Sequence, residues 1–407
     1  MKKKKVYPII FVLILLSLAF TSAQGVVSAG TEEPPSEDSV GELTQPRRDV
    51  VVDTDEAMQG IQYPAEPGLL ARAAGATFNI TYVANGGDDY WEEPCYTFPE
   101  AAKGAFNYAA AIWAAKLYSP VPITIKACWA NLGSASTLGY SGGGTLSYNF
   151  SGAPLTNTVY ASSLANALHG SDLDPSNEDM HITYNQNFSW YYGLDGNPGA
   201  GKYDLVTVAA HEIGHGLNFS GSAYKDAGVY YWGYGIGVPN IYDTFMRANN
   251  GTLLTSYASG SAALGTLLTS NSLWFHGSNA MSANGSSRVK MYAPATWAPG
   301  SSYSHLDYTT FTGTINSMMV YSVSSNASQH NTGPVTDGLL KDLGWTSASS
   351  YFVYLPIMIN DTGVVIPPDP ILNGDFESGQ VNWAEYSTHG WDVVTNTLPV
   401  SAHSGSW

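Results

Sequence analysis

The sequence predicts an α/β (α+β) chain in which a twisted sheet lies over a helix, and three observations point there. Stretches at 76–83, 121–130 and 179–187 alternate apolar and polar residues with the period of half-buried strands. A helical pattern separates the first two stretches, and an apolar helical run around 204–219 follows the third. Strand, helix, strands and helix in that order favour helices packed beneath one sheet.

The first strand is ATFNITYV at 76–83. Thr97-Phe98-Pro99-Glu100 then has the form of a capping box with proline in the first turn. It opens a helix to about Tyr118, with Phe98, Ala102, Phe106, Ala109 and Trp113 on one stripe, and Ser119-Pro120 ends it. VPITIKACWA (121–130) sets Ile123, Ile125, Ala127 and Trp129 against Thr124, Lys126 and Cys128. Residues 131–160, rich in Gly, Ser and Thr, suggest short strand-like pieces, and DMHITYNQN at 179–187 is a further strand. Residues 220–300 carry few charges and read as an insertion of loops and short elements. TGPVTDGLLKDLGW at 332–345 predicts a short helix with Gly344 near its end.

The flanks differ in kind. MKKKK followed by an apolar core and TSA is a secretory signal peptide, with cleavage expected after Ala23 (1–23), so the mature protein is expected to be exported and extracellular. Beyond it no segment has the roughly 18 continuous apolar residues of a membrane span. Residues 24–75, rich in Pro, Glu, Ser and Asp, are expected to be flexible or to depend on the rest of the protein for order. They suit a pro-segment. They contain no cysteine, so a thiolate cannot block a metal there, and Pro46-Arg47-Arg48 and Arg72 are candidate processing points. The ordered domain is expected at 76–347, a strand and Pro-rich linker at 348–370, and a further module at 371–407.

The net charge of −17 becomes −21 once the four lysines of the leader are removed. So acidic a surface argues against a nucleic-acid partner. It is compatible with Ca2+, for which the loops holding Asp172, Asp174, Glu178, Asp179 and Asp195 are candidates, although none matches a defined calcium loop. The two cysteines, Cys95 and Cys128, predict a disulfide in an exported protein. Closing a loop of about 33 residues stabilises by roughly 3–4 kcal/mol in the chain-entropy treatment.

The chemistry sits in DLVTVAAHEIGHGLNF (204–219). On a helix His211 and His215 share a face and reach one metal ion, while Glu212 is placed to take a proton from water. The preceding apolar run suits a buried helix, and Asp204 is a candidate N-cap. A zinc site needs a third protein ligand and one open position. The chain has no glutamate between Glu212 and Glu377, which excludes a glutamate ligand within the domain. Asp243 and His276, both within 220–300, are candidates for it. His330 is expected at the surface, and His169 and His181 as structural or exposed.

HEIGHGLNFS at 211–220, SSYSHLD at 301–307 and NSMMVY at 316–321 together resemble leishmanolysin-like metzincins, which carry an insertion before the third histidine. The layout is closer still to bacterial secreted proteins of the HEIGHGLGF type, over roughly residues 76–347. The resemblance implies a zincin domain with Zn2+ held by His211, His215 and His305, Glu212 as general base and Met319 as the methionine beneath the metal. It implies a secreted metalloendopeptidase acting on protein or peptide substrates. Ser317 to Tyr321 also resembles the astacin methionine turn, which makes Tyr321 a candidate for holding the oxyanion. Asn218 departs from the pattern where a glycine ends the helix; asparagine tolerates φ > 0, so the turn is expected to survive at modest cost.

ILNGDFESGQVNWAEYSTHGWDVV, from Ile371, resembles the opening of jelly-roll β-sandwich modules that often bind carbohydrate. About 37 residues cannot close a sandwich. A second reading follows: an extracellular surface or carbohydrate-binding protein with a catalytically silent metal site. A third, a zinc amidase acting on cell-wall peptide, differs only in substrate.

Overall fold

The amphipathic stripe of residues 98–113 forms helix α1, Glu100–Ala114, and all five of its predicted core residues are buried. In the computed structural model, residues 41–44, 48–53, 60–71, 75–142 and 144–348 are described. The expected leader at 1–23 and everything from 349 onward, the expected linker and sandwich-like start included, lie outside them. The expected capping box is not formed. Pro99 is itself the N-cap residue, with φ −64° and ψ 139° and no side-chain cap bond. A residue before proline is driven to extended backbone, which keeps Phe98 out of the helix and leaves Thr97 too far back to cap it. The helix also stops short of Tyr118, because Leu117–Tyr118 pair with Thr346–Ser347 as a short ladder.

The main sheet has seven strands and mixed direction. In chain order its principal strands are β2 (Arg48–Asp53), β3 (Phe78–Tyr82), β4 (Ile123–Ala130), β5 (Thr137–Gly142), β8 (Met180–Asn185) and β9 (Ser322–Val323). A smaller sheet joins β1 (Gly41–Thr44), β6 (Thr145–Tyr148) and β7 (Val159–Ala161). Across the main sheet the order is β9-β2-β5-β8-β4-β3, with Cys95–Tyr96 also pairing β4. Strands β3, β4 and β8 run parallel, while β5 is antiparallel to both β8 and β2. Such a mixed sheet, with seven α-helices among the described residues, makes an α+β architecture. No helix among the described residues is long and apolar enough to cross a membrane.

Beneath the sheet lie α1 and helix α3 (Leu205–Gly216); α2 (Ser162–His169) precedes β8, and α4 (Pro334–Leu343) ends the body. Trp113 of α1 donates from Nε1 to the carbonyl of Ala210 in α3 at 2.8 Å, fixing the register of the two helices. Phe98, Phe106, Trp129 and Tyr184 form the aromatic core, with Phe106 and Tyr184 edge to face at 5.6 Å. Such edge-on pairs contribute roughly 0.5–1.5 kcal/mol beyond area burial.

Residues 48–53 take a place that their surrounding composition does not announce. Within the stretch expected to need other residues for order, β2 is an interior strand of the main sheet, between β5 and β9. Gln62–Tyr63 pair with Ser328–Gln329 in the same way. The ordered body therefore begins N-terminal to residue 76, and its early pieces are held by partners far along the chain.

Candidate metal centre

Helix α3 is buried along its whole length, so its polar groups must be satisfied within the fold or serve a ligand. Asp204 caps it as expected, accepting from the amide and hydroxyl of Thr207 at 2.7 Å each. His330 is not at the surface: it is 1% exposed, with Nε2 2.8 Å from Asp204 Oδ1. At the other end the chain turns at Asn218, φ 76°. The asparagine does more than tolerate this conformation. Its Oδ1 accepts from the amide of Ala161 at 2.6 Å and its Nδ2 donates to Asn240 Oδ1 at 2.7 Å. The turn brings the Phe219 carbonyl back beneath His215.

The three histidines converge. Nε2 atoms of His211, His215 and His305 lie 3.0–3.1 Å from one another, and all three residues are buried. Each opposite ring nitrogen is held by a backbone carbonyl: His211 Nδ1 by Met318 at 2.7 Å, His215 Nδ1 by Phe219 at 2.8 Å, His305 Nδ1 by Ser301 at 2.8 Å. With Nδ1 donating, every Nε2 presents a lone pair to the same point. Burial lowers the pKa of all three, that of His215 to about 4, so they favour the neutral form a metal requires. Three neutral imidazoles with lone pairs face to face repel unless a cation lies between them. A zinc ion there would take three of its ligands from these Nε2 atoms. The trio can hold a metal ion.

The turn at Ser317–Met319 supports the trio from below. Met318 supplies the carbonyl that orients His211, and the Met319 carbonyl accepts from the amide of Leu306, next to His305. Met319 is fully buried against α3. A Cβ on Gly214 would stand 2.6 Å from its sulfur, which explains glycine inside HEIGH. Tyr321 follows, its ring 6.5 Å from that of His305 and stacked on Tyr292 at 4.3 Å.

Glu212 is the exceptional group. It is fully buried, and neither carboxylate oxygen has a partner at ordinary hydrogen-bond distance, although the Ser141 hydroxyl and the Val51 amide face it and favour its charged form. Burial raises its pKa well above the usual carboxylate range, and the charge of Asp49 adds to the effect. Gly139 of β5 lies directly over it: a Cβ there would be 3.6 Å from Glu212 Oε1. The hydroxyl of Ser141, one step along the same face, is also buried without a partner at ordinary hydrogen-bond distance. Leaving such groups unpaired costs about 1–3 kcal/mol each or more when charged, a cost characteristic of sites awaiting a ligand.

The remaining candidates are placed elsewhere. Asp243 is buried, but its oxygens accept from the Ser222 amide at 2.9 Å, the Ser222 hydroxyl, the Asn240 amide at 2.8 Å and the Tyr303 hydroxyl at 2.5 Å. It knits the insertion together and is not in the trio. Neither is His276, whose amide bonds the Phe245 carbonyl. Of the proposed calcium carboxylates, Asp179 is engaged by Thr124, Ser162 and Asn166, Asp174 by Thr145 and Asn177, and Asp195 by Tyr191. Among the described residues the histidine trio is the only gathered metal-binding group. His181 lies against the ring of Tyr90 at 4.7 Å, and burial lowers its pKa. The Cys95–Cys128 disulfide is formed, joining the strand before α1 to β4. Gly139, Ser141 and Asp49 line the centre, with Asp49 Oδ2 3.8 Å from His215 Nδ1. None carries a sequence signal, since each matters only through a fold contact. Comparison with protein-family models, curated proteins and solved structures finds no match.

Proposed function

We propose that this chain is a secreted zinc-dependent endopeptidase of the metzincin type, most like the leishmanolysin-like group. The observation that carries the reading is the buried Glu212, with no hydrogen bond of ordinary length, on the same helix turn as two members of a three-histidine cluster. The leader at 1–23 and the disulfide support export. Zinc held by His211, His215 and His305 would supply Lewis acidity to water and to a substrate carbonyl. Glu212 accepts the proton of the attacking water and delivers it to the leaving amine. Its raised proton affinity suits that double role, and no hydrogen bond of ordinary length ties up its oxygens. The carbonyls of Met318, Phe219 and Ser301 hold the three rings so that none must reorient. Tyr321, beside His305, is proposed to donate to the developing oxyanion.

Glu212→Gln tests this. The variant is expected to retain the metal content of the wild type and to lose casein hydrolysis by about 10²–10⁴-fold. Wild-type hydrolysis in the variant would remove Glu212 as the base.

A further inference from the structure

Strand β2 runs over the metal centre. Its faces alternate: Asp49 and Val51 turn down and are buried, with Val51 0% exposed and Asp49 beside His215. Arg48, Val50 and Val52 turn the other way. One edge of β2 pairs antiparallel with β5, where Asp49 lies opposite Ser141 and Val51 opposite Gly139, the two positions that roof Glu212. The other edge is held by the facing wall: the Val50 amide donates to the Gly300 carbonyl and the Val52 amide to the Tyr321 carbonyl, both at 2.9 Å. Gly300 is glycine of necessity, since a Cβ there would stand 2.5 Å from Val50. An extended backbone thus runs beside the metal centre, touching it through Asp49 and Val51, and is bonded on both edges as a bound peptide would be.

The outward face is equally specific. The Arg48 guanidinium lies 4.7 Å over the ring of Tyr140 and 5.5 Å from that of Trp91, with Nη1 3.8 Å from Glu93 Oε1. Asp89 builds this box, accepting from the Tyr140 hydroxyl and from the amides of Trp91 and Glu93. Two aromatic faces and two carboxylates recognise a cation. Beside Arg48 and Val50 the slot continues into a cavity of about 360 Å³ lined by Ser220, Tyr224, Trp297 and Ser304, so a longer chain has room to extend.

We propose that Arg48–Asp53 is an internal occupant of the peptide groove. It closes the site in the full chain, and the groove it vacates takes an extended peptide that places an arginine or lysine between Trp91 and Tyr140. The proposal rests on the peptidase reading for what happens to that peptide, but not for its binding. A docked segment lowers the apparent affinity of any competitor by the fraction of time the groove is open.

The test uses the full, metal-loaded chain and a fluorescent peptide with the sequence of residues 48–53. Val51→Asp places a charge where Val51 is buried, next to Glu212, and should expel the strand while the three histidines and Glu212 themselves are unchanged in sequence. We expect Val51→Asp to bind the peptide at least about tenfold more tightly than wild type. A peptide with Arg48→Glu should bind about tenfold more weakly than its parent. Equal binding by both proteins overturns internal occupancy, and equal binding of both peptides overturns the cation subsite. Binding by Val51→Asp with no cleavage of a longer peptide leaves this proposal standing and removes the peptidase reading. Hydrogen exchange of the wild type gives an answer without any variant. The amides of Val50 and Val52 should exchange as slowly as those of β5, and exchange at the unfolded-chain rate overturns the proposal.

Discussion

Two buried carboxylates, Glu212 under the sheet and Asp243 in the insertion, are alike in burial and opposite in company. Asp243 accepts four hydrogen bonds, from Ser222, Asn240 and Tyr303, and its negative end is fully used. Glu212 has none of ordinary length, only the Ser141 hydroxyl and Val51 amide facing it, though it lies on the helix that carries two of the three convergent histidines. Burial raises the pKa of both. The difference teaches how to separate structure from function among buried charges: a satisfied network holds a fold together, whereas an unsatisfied one is a standing cost retained for a ligand.

The same chemical change should therefore have opposite consequences at the two positions. Asp243→Asn replaces acceptors by donors facing donors, and should lower the unfolding free energy by about 3 kcal/mol with metal content unchanged. Glu212→Gln disturbs no hydrogen bond of ordinary length, and should stay within about 1 kcal/mol of wild type in urea unfolding while losing hydrolysis. Equal destabilisation of both variants would break the comparison.

A smaller effect sharpens it at Asn218. Glycine suits φ 76° at least as well, yet Asn218→Gly removes the bonds to Ala161 and Asn240. We expect a loss of about 1 kcal/mol. Unchanged or raised stability would show that backbone strain outweighs the side-chain bonds at this turn.

Much of the centre was legible in sequence because its signals are local. The spacing of His211 and His215, the Asp204 cap and the apolar lead-in of α3 each need only neighbouring residues. The stripe of α1 and the alternation of β4 are of the same kind. His305 could be reached only through resemblance, since 90 residues separate it from His215. The features missed are those made by distant partners. Residues 48–53 sit in a polar, Pro-rich stretch, and only pairing with β5 and the Gly300 wall makes them a strand. His330 was expected in solvent because its partner, Asp204, lies 126 residues earlier. Helix α2, SSLANALH, is too short and mixed to show a clear period. The capping box failed for a local reason, the restriction that Pro99 places on Phe98.

The central claim is that His211, His215 and His305 together hold one catalytic metal. Metal content of the purified full chain, compared between wild type and His305→Ala, tests it most directly. We predict about one zinc per wild-type chain and little or none in the variant. Zinc retained in full by His305→Ala, or absent from a folded wild type supplied with it, would contradict the account.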